Sequence, residues 1–193
     1  MLKQLTILAT ALLLSATAFA QQSLWDISDF DTVTVNPDKS VTFKLKAPKA
    51  VKVQVTGDFM EGTADLVEGR DGIWEYTSAP LESELYNFRF FVDGLAFNDP
   101  SYTYVQRDIS NLMDYFIVPG GRADNYMVQD VPHGTVSRVW YHSATLGMDR
   151  RMSVYTPAGY EGGKGKYPVL YLLHGMGGDE EAWLCTGRAA QIL

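Results

Sequence analysis

From about residue 30 onward, apolar and polar positions alternate in short runs. Val51, Val53 and Val55 are interleaved with Lys52 and Gln54. This is the period-two pattern of a strand with one wet face. Tyr86 to Val92 alternates aromatic and polar residues until Asp93-Gly94, and Thr32 to Val35, Val41 to Leu45, Ile73 to Tyr76 and Asp114 to Val118 read as further strands. Between them stand turn signals: Asn36-Pro37-Asp38-Lys39-Ser40, Gly57-Asp58, Asp71-Gly72 and Pro119-Gly120-Gly121. No convincing helix interrupts the series. Many short strands with regular turns predict a β-sandwich over residues 21–120.

The pattern then changes. Residues 121–134 are polar and carry Pro132 and several Gly and Asp residues, so they read as a linker. Thr135 to Tyr141 and Met152 to Tyr155 follow as strands joined near Leu146-Gly147. After a loop, Tyr167 and the charge-free run Val169 to Leu173 predict a strand buried on both faces. The run breaks into His174-Gly175-Met176-Gly177-Gly178 and an acidic helix start. A helix is expected from Asp179 through Leu193, with Asp179, Glu180 and Glu181 at the positive end of its dipole.

The first twenty residues are of another kind. Lys3 precedes an apolar stretch from Leu5 to Leu14, and Ala18-Phe19-Ala20 is an A-x-A cleavage site. Residues 1–20 are therefore expected to be a cleavable signal peptide, cut after Ala20, sending the chain to the periplasm or outside the cell. The apolar run is too short to span a bilayer, and no cysteine follows the cut to take a lipid anchor. The only cysteine is Cys185, so no internal disulfide is available, and it is expected to be a small core residue. Residues 21–130 carry a net charge of −9, residues 131–193 a net +1. Such an acidic front part disfavours nucleic acid and anionic membranes as partners.

Two resemblances sharpen the picture. Arg151 to Tyr160, Tyr167 to Gly178, and Asp179 to Trp183 together resemble the feruloyl and acetyl-xylan esterases of carbohydrate esterase family 1, in the α/β-hydrolase superfamily. Asp71-Gly72-Ile73-Trp74, Leu81 to Tyr86, Phe88 to Gly94 and Asn98-Asp99-Pro100 resemble carbohydrate-binding module family 48, the front domain of glycogen-branching and debranching enzymes. The two resemblances imply an immunoglobulin-like (E-set) all-β sandwich, then residues 135–193 as the first strands and helix of an incomplete α/β-hydrolase domain. They imply a secreted carbohydrate esterase acting through a serine acyl-enzyme on acyl esters of a polysaccharide, xylan-like or α-glucan. An alternative is an accessory module of a polysaccharide-degrading glycoside hydrolase.

Ester hydrolysis needs a nucleophile, a base and donors for the tetrahedral oxyanion. The hydrolase resemblance makes the backbone N–H of Met176 the first choice of donor and that of Gly177 the second, with His174 and Gly175 ordering the loop. No G-x-S-x-G occurs, so these residues supply no nucleophile elbow. In this superfamily the base follows the nucleophile in the chain, so His174 is not read as the base. The 193 residues are accordingly expected to lack esterase activity. Trp74 and Arg89 are the candidate sugar contacts, against a plain core or structural role for each. Phe88 and Phe90 are expected in the core. His133 and His142 lack metal-ligand spacing, no phosphate loop or dinucleotide fingerprint is present, and no metal or cofactor is implied.

Overall fold

In the computed structural model, residues 30–108 and 111–193 are described. The signal-peptide expectation for residues 1–20 lies outside them. Twelve strands run in chain order: β1 (Val33–Val35), β2 (Val41–Lys46), β3 (Val53–Gly57), β4 (Ala64–Asp65), β5 (Val67–Glu68), β6 (Ile73–Thr77), β7 (Leu85–Val92), β8 (Leu95–Phe97), β9 (Val105–Asp108), β10 (Asn111–Ile117), β11 (Thr135–Ser143) and β12 (Met148–Thr156). One sheet has the order β1-β2-β6-β5. A second has the order β4-β3-β7-β10-β9, with β8 also paired to β7. Every pairing is antiparallel.

The alternation seen in the sequence sets the layers. Val41, Phe43 and Leu45 of β2 and Trp74 of β6 point inward from the first sheet. Val53 and Val55 of β3, Phe88 and Phe90 of β7 and Phe116 of β10 meet them from the second. Phe43 is fully buried, its ring 5.2 Å from those of Phe59 and Phe88 and 5.5 Å from that of Phe116. Offset and edge contacts at these separations add to the burial of apolar area. The β7–β8 hairpin closes through Asp93-Gly94, with Val92 opposite Leu95. Both loop residues have positive φ, 50° and 83°, as a two-residue loop matched to strand twist requires. Asp93 also fastens β3, its Oδ1 accepting from the Val51 and Lys52 amides at 2.9 and 2.8 Å.

The front of the segment between the sandwich and β11 is tied down. Ala123 is fully buried, its amide bonds Ser83 Oγ at 3.2 Å, and Arg122 pairs with Glu84. β11 and β12 then form a hairpin in continuous register from Thr135↔Thr156 to Ser143↔Met148, with most of β11 exposed.

Beyond β12 the structure departs from expectation. The buried strand expected over Val169 to Leu173 is not formed: residues 163–175 have no regular structure, and Val169, Leu170, Tyr171 and Leu173 are largely exposed. A strand covered on both faces needs neighbours on both edges. Here β11 and β12 form a two-stranded ribbon that pairs with no further strand among the described residues, so the run has no sheet on both sides to enter. The helix expected from Asp179 to Leu193 is two single turns, α1 (Ala182–Cys185) and α2 (Ala189–Ile192). It breaks at Gly187-Arg188. A Cβ at Gly187 would lie 2.7 Å from the Trp183 ring and 2.8 Å from its carbonyl, and Arg188 is left-handed at φ 52°. Cys185 is exposed, not a core residue. Across the described residues the architecture is mostly β, with few helical turns.

Candidate functional site

The glycine-rich motif forms a tight turn. The Gly178 amide donates to the Gly175 carbonyl at 3.1 Å, and Gly177, at the third position, has φ 89°. That is the type II requirement, which only glycine meets without strain. Met176 occupies the second position with its side chain fully exposed. Among the described residues, neither the Met176 nor the Gly177 N–H has a hydrogen-bond acceptor. His174 Nδ1–H donates to the Gly175 carbonyl at 2.8 Å. A Cβ on Gly178 would press on the His174 side chain, with its nearest atom at 3.0 Å. The four motif residues singled out in the sequence are thus drawn into one exposed turn with two uncommitted donors.

The turn is held at both ends. Before it, Trp183 Nε1–H donates to the Leu173 carbonyl at 3.0 Å. After it, Asp179 Oδ1 accepts from the Glu181 amide at 3.0 Å, and Oδ2 pairs with Arg107 of β9. Each member of the acidic triplet in fact has its own arginine. Asp179 has Arg107, Glu180 has Arg151 of β12, and Glu181 has Arg138 of β11, the last through two bonds of 2.8 and 2.9 Å. Ser153 Oγ donates to Glu181 at 3.2 Å, and the Arg151 guanidinium sits 5.7 Å from the Trp140 ring centroid. The Glu181 amide, and then Arg107, hold the Asp179 carboxyl below its ordinary range. Arg138, ahead of other contacts, does the same for Glu181. In the sequence these acids stand where a helix dipole would favour them. A helix of four residues has little dipole to offer, and the arginines take that role.

The C-terminal turns also touch the sandwich. Arg188 donates from Nε to the Tyr126 carbonyl at 2.8 Å and from Nη1 to Tyr115 Oη at 3.3 Å. A cavity of about 330 Å³ opens here between Glu84, Leu85 and Asn87 on one side and Thr186 to Arg188 on the other.

The candidate sugar contacts are placed elsewhere. Trp74 is 8% exposed in the sandwich core, and its Nε1 donates to the Ala47 carbonyl at 3.0 Å. It is a core residue and presents no ring face for a sugar. Arg89 donates to the Leu112 carbonyl at 2.8 Å, bracing β7 against the start of β10. Phe88 and Phe90 are core residues, as the alternation predicts. An aromatic row lies instead at Tyr102, Tyr104 and Tyr115, with ring centroids 5.7 and 5.8 Å apart; of these Tyr104 is exposed, and the other two are half-buried.

No protein-family model matches the sequence. Over 166 residues, 82% of its length, the chain is 31% identical to an endo-1,4-beta-xylanase/feruloyl esterase of Xylanibacter ruminicola, of which it spans 23%. Among solved structures, the enterobactin esterase FES of Shigella flexneri aligns with 69% of this chain and 44% of its own, at 13% identity and a TM-score of 0.45. A pullulanase from Anoxybacillus sp. LM18-11 aligns with 36% of this chain and 10% of its own, at 26% identity and a TM-score of 0.29. The relationship that carries weight is the first: over most of its length this chain is similar in sequence to an esterase that its name couples to xylan breakdown.

Proposed function

We propose that this chain supplies the oxyanion loop of a carbohydrate esterase of the feruloyl or acetyl-xylan type. The loop sits behind an E-set sandwich related to carbohydrate-binding module family 48. The observation that carries the reading is the exposed Gly175–Gly178 turn, with the Met176 and Gly177 amides uncommitted, in a chain 31% identical to the xylanase/feruloyl esterase. Backbone donors fixed before the reaction and open to an incoming carbonyl stabilise the tetrahedral oxyanion without reorganising. In this reading Met176 N–H is the first donor and Gly177 N–H the second. His174 and Gly175 hold the turn, and the attacking serine, its acid and its base come from outside these 193 residues. The substrate is an acylated polysaccharide of the xylan type, and the protein is exported after cleavage behind Ala20. The sandwich supports the loop, and Trp74, in its core, is no platform for a sugar.

The experiment is a chimera. The stretch of the Xylanibacter ruminicola protein that matches this chain is replaced by the matching residues of this chain. The chimera is expected to hydrolyse feruloyl or acetyl esters at a rate comparable to its parent, while the 193-residue protein alone turns over neither. Turnover by the 193-residue protein that a serine substitution abolishes would overturn the reading. So would a folded chimera without activity.

A further inference from the structure

We propose that Arg107, on the sandwich, is a positioning residue for the Gly175–Gly178 turn. This deepens the esterase reading and rests on it, because it makes the sandwich part of the machinery that holds the donors.

The geometry runs through Asp179. Arg107 lies on β9, directly opposite Leu112 of β10, so its backbone is fixed by a ladder that is part of the sandwich. Its guanidinium meets Asp179 Oδ2, while Oδ1 of the same carboxylate takes the Glu181 amide. Asp179 immediately follows Gly178, whose amide closes the turn on Gly175. One carboxylate therefore links the turn, the start of α1 and the sandwich edge. The other two acids, Glu180 and Glu181, go to arginines of the β11–β12 hairpin. Arg107 is the one member of the three that reaches the loop from the sandwich, 72 residues away in sequence. A lone exposed ion pair holds little. Here the carboxylate is already oriented by a backbone amide, and two parallel pairs fix the adjoining residues, so less freedom remains to be lost when Arg107 engages.

The test uses the 193-residue protein and needs no catalysis. Arg107→Glu and Arg107→Lys are compared with the parent by NMR, reading solvent exchange of the Gly178 amide and the Trp183 indole N–H, and titration of the Asp179 carboxyl. In Arg107→Glu, exchange at both sites is expected to rise about threefold, the size of a lost exposed pair. The Asp179 carboxyl is expected to titrate higher. Arg107→Lys, which keeps the charge, restores most of both. The amides of Val55 and Phe90 serve as core controls and stay unchanged. The inference is overturned if Arg107→Glu leaves Gly178 and Trp183 unmoved, if lysine rescues nothing, or if the core amides loosen equally. These readouts follow loop order alone, so they fail or succeed independently of the chimera assay for esterase function.

Discussion

A side chain's surroundings, more than its type, decide what it does in this molecule. Trp74 has the ring a sugar platform needs, yet it packs among Leu45, Val53 and Val55 and spends its N–H on Ala47. Trp74→Ala is expected to destabilise the sandwich by about 3–5 kcal/mol, the range for emptying an aromatic core site, read as a large drop in melting temperature. Loss of glycan retention in that variant would then report unfolding and not lost stacking. Asp114 is the opposite case, a carboxylate facing a hydrophobic core. It is fully buried, Asn98 Nδ2 donates to its Oδ1 at 3.0 Å, and its Oδ2 has no hydrogen-bond partner. Burial is the main force raising its pKa to about 6, with Asp99 pushing the same way and Asn98 opposing. The folded pKa lies above the unfolded one. The neutral form therefore lends stability that is complete below about pH 4 and lost as pH rises through 6. The loss is roughly 2–3 kcal/mol if the whole shift is expressed. Denaturant unfolding at pH 4 and pH 7.5 should show this fall in the parent and a flatter profile in Asp114→Asn. An equal slope in both would refute the assignment.

Among the elements, those defined by local pattern were legible and those defined by partners were not. β2, β3, β6 and β7 were readable because one wet and one dry face forces strict alternation, and Asp93-Gly94 announces its hairpin through its positive φ. The Val169 to Leu173 run has the composition of a central strand, but composition does not supply the neighbours that make a strand. Gly187 was the missed signal in the last helix. Its hydrogen is what lets Trp183 fold back toward the turn, since any Cβ there meets both the ring and the backbone of Trp183. Gly187→Ala should therefore displace the Trp183 indole from the Leu173 carbonyl, seen as a shifted emission maximum or indole N–H resonance. An unchanged indole signal would show that Trp183 has another anchor. The turn at Gly175–Gly178 was visible in sequence as a motif. The arginines that fix it were not, because Arg107, Arg138 and Arg151 stand 29 to 72 residues from their carboxylates and carry no local signature.

At the scale of the whole molecule, charge pairs from the sandwich edge and from the β11–β12 hairpin hold a segment whose own secondary structure is slight. Those pairs are largely exposed, so raising salt to 1 M should loosen the turn while leaving the Phe43-centred core intact. The central claim concerns a backbone atom, and a substitution exists that removes that atom alone. Met176 is the second residue of the turn, the position where proline is favoured, so Met176→Pro deletes the N–H and keeps the turn. Met176→Ala removes only an exposed side chain. In the active chimera, kcat on a feruloyl ester is expected to fall about 100- to 1,000-fold in Met176→Pro, with KM little changed, and to stay near parental in Met176→Ala. A Met176→Pro chimera that keeps its kcat would contradict the account.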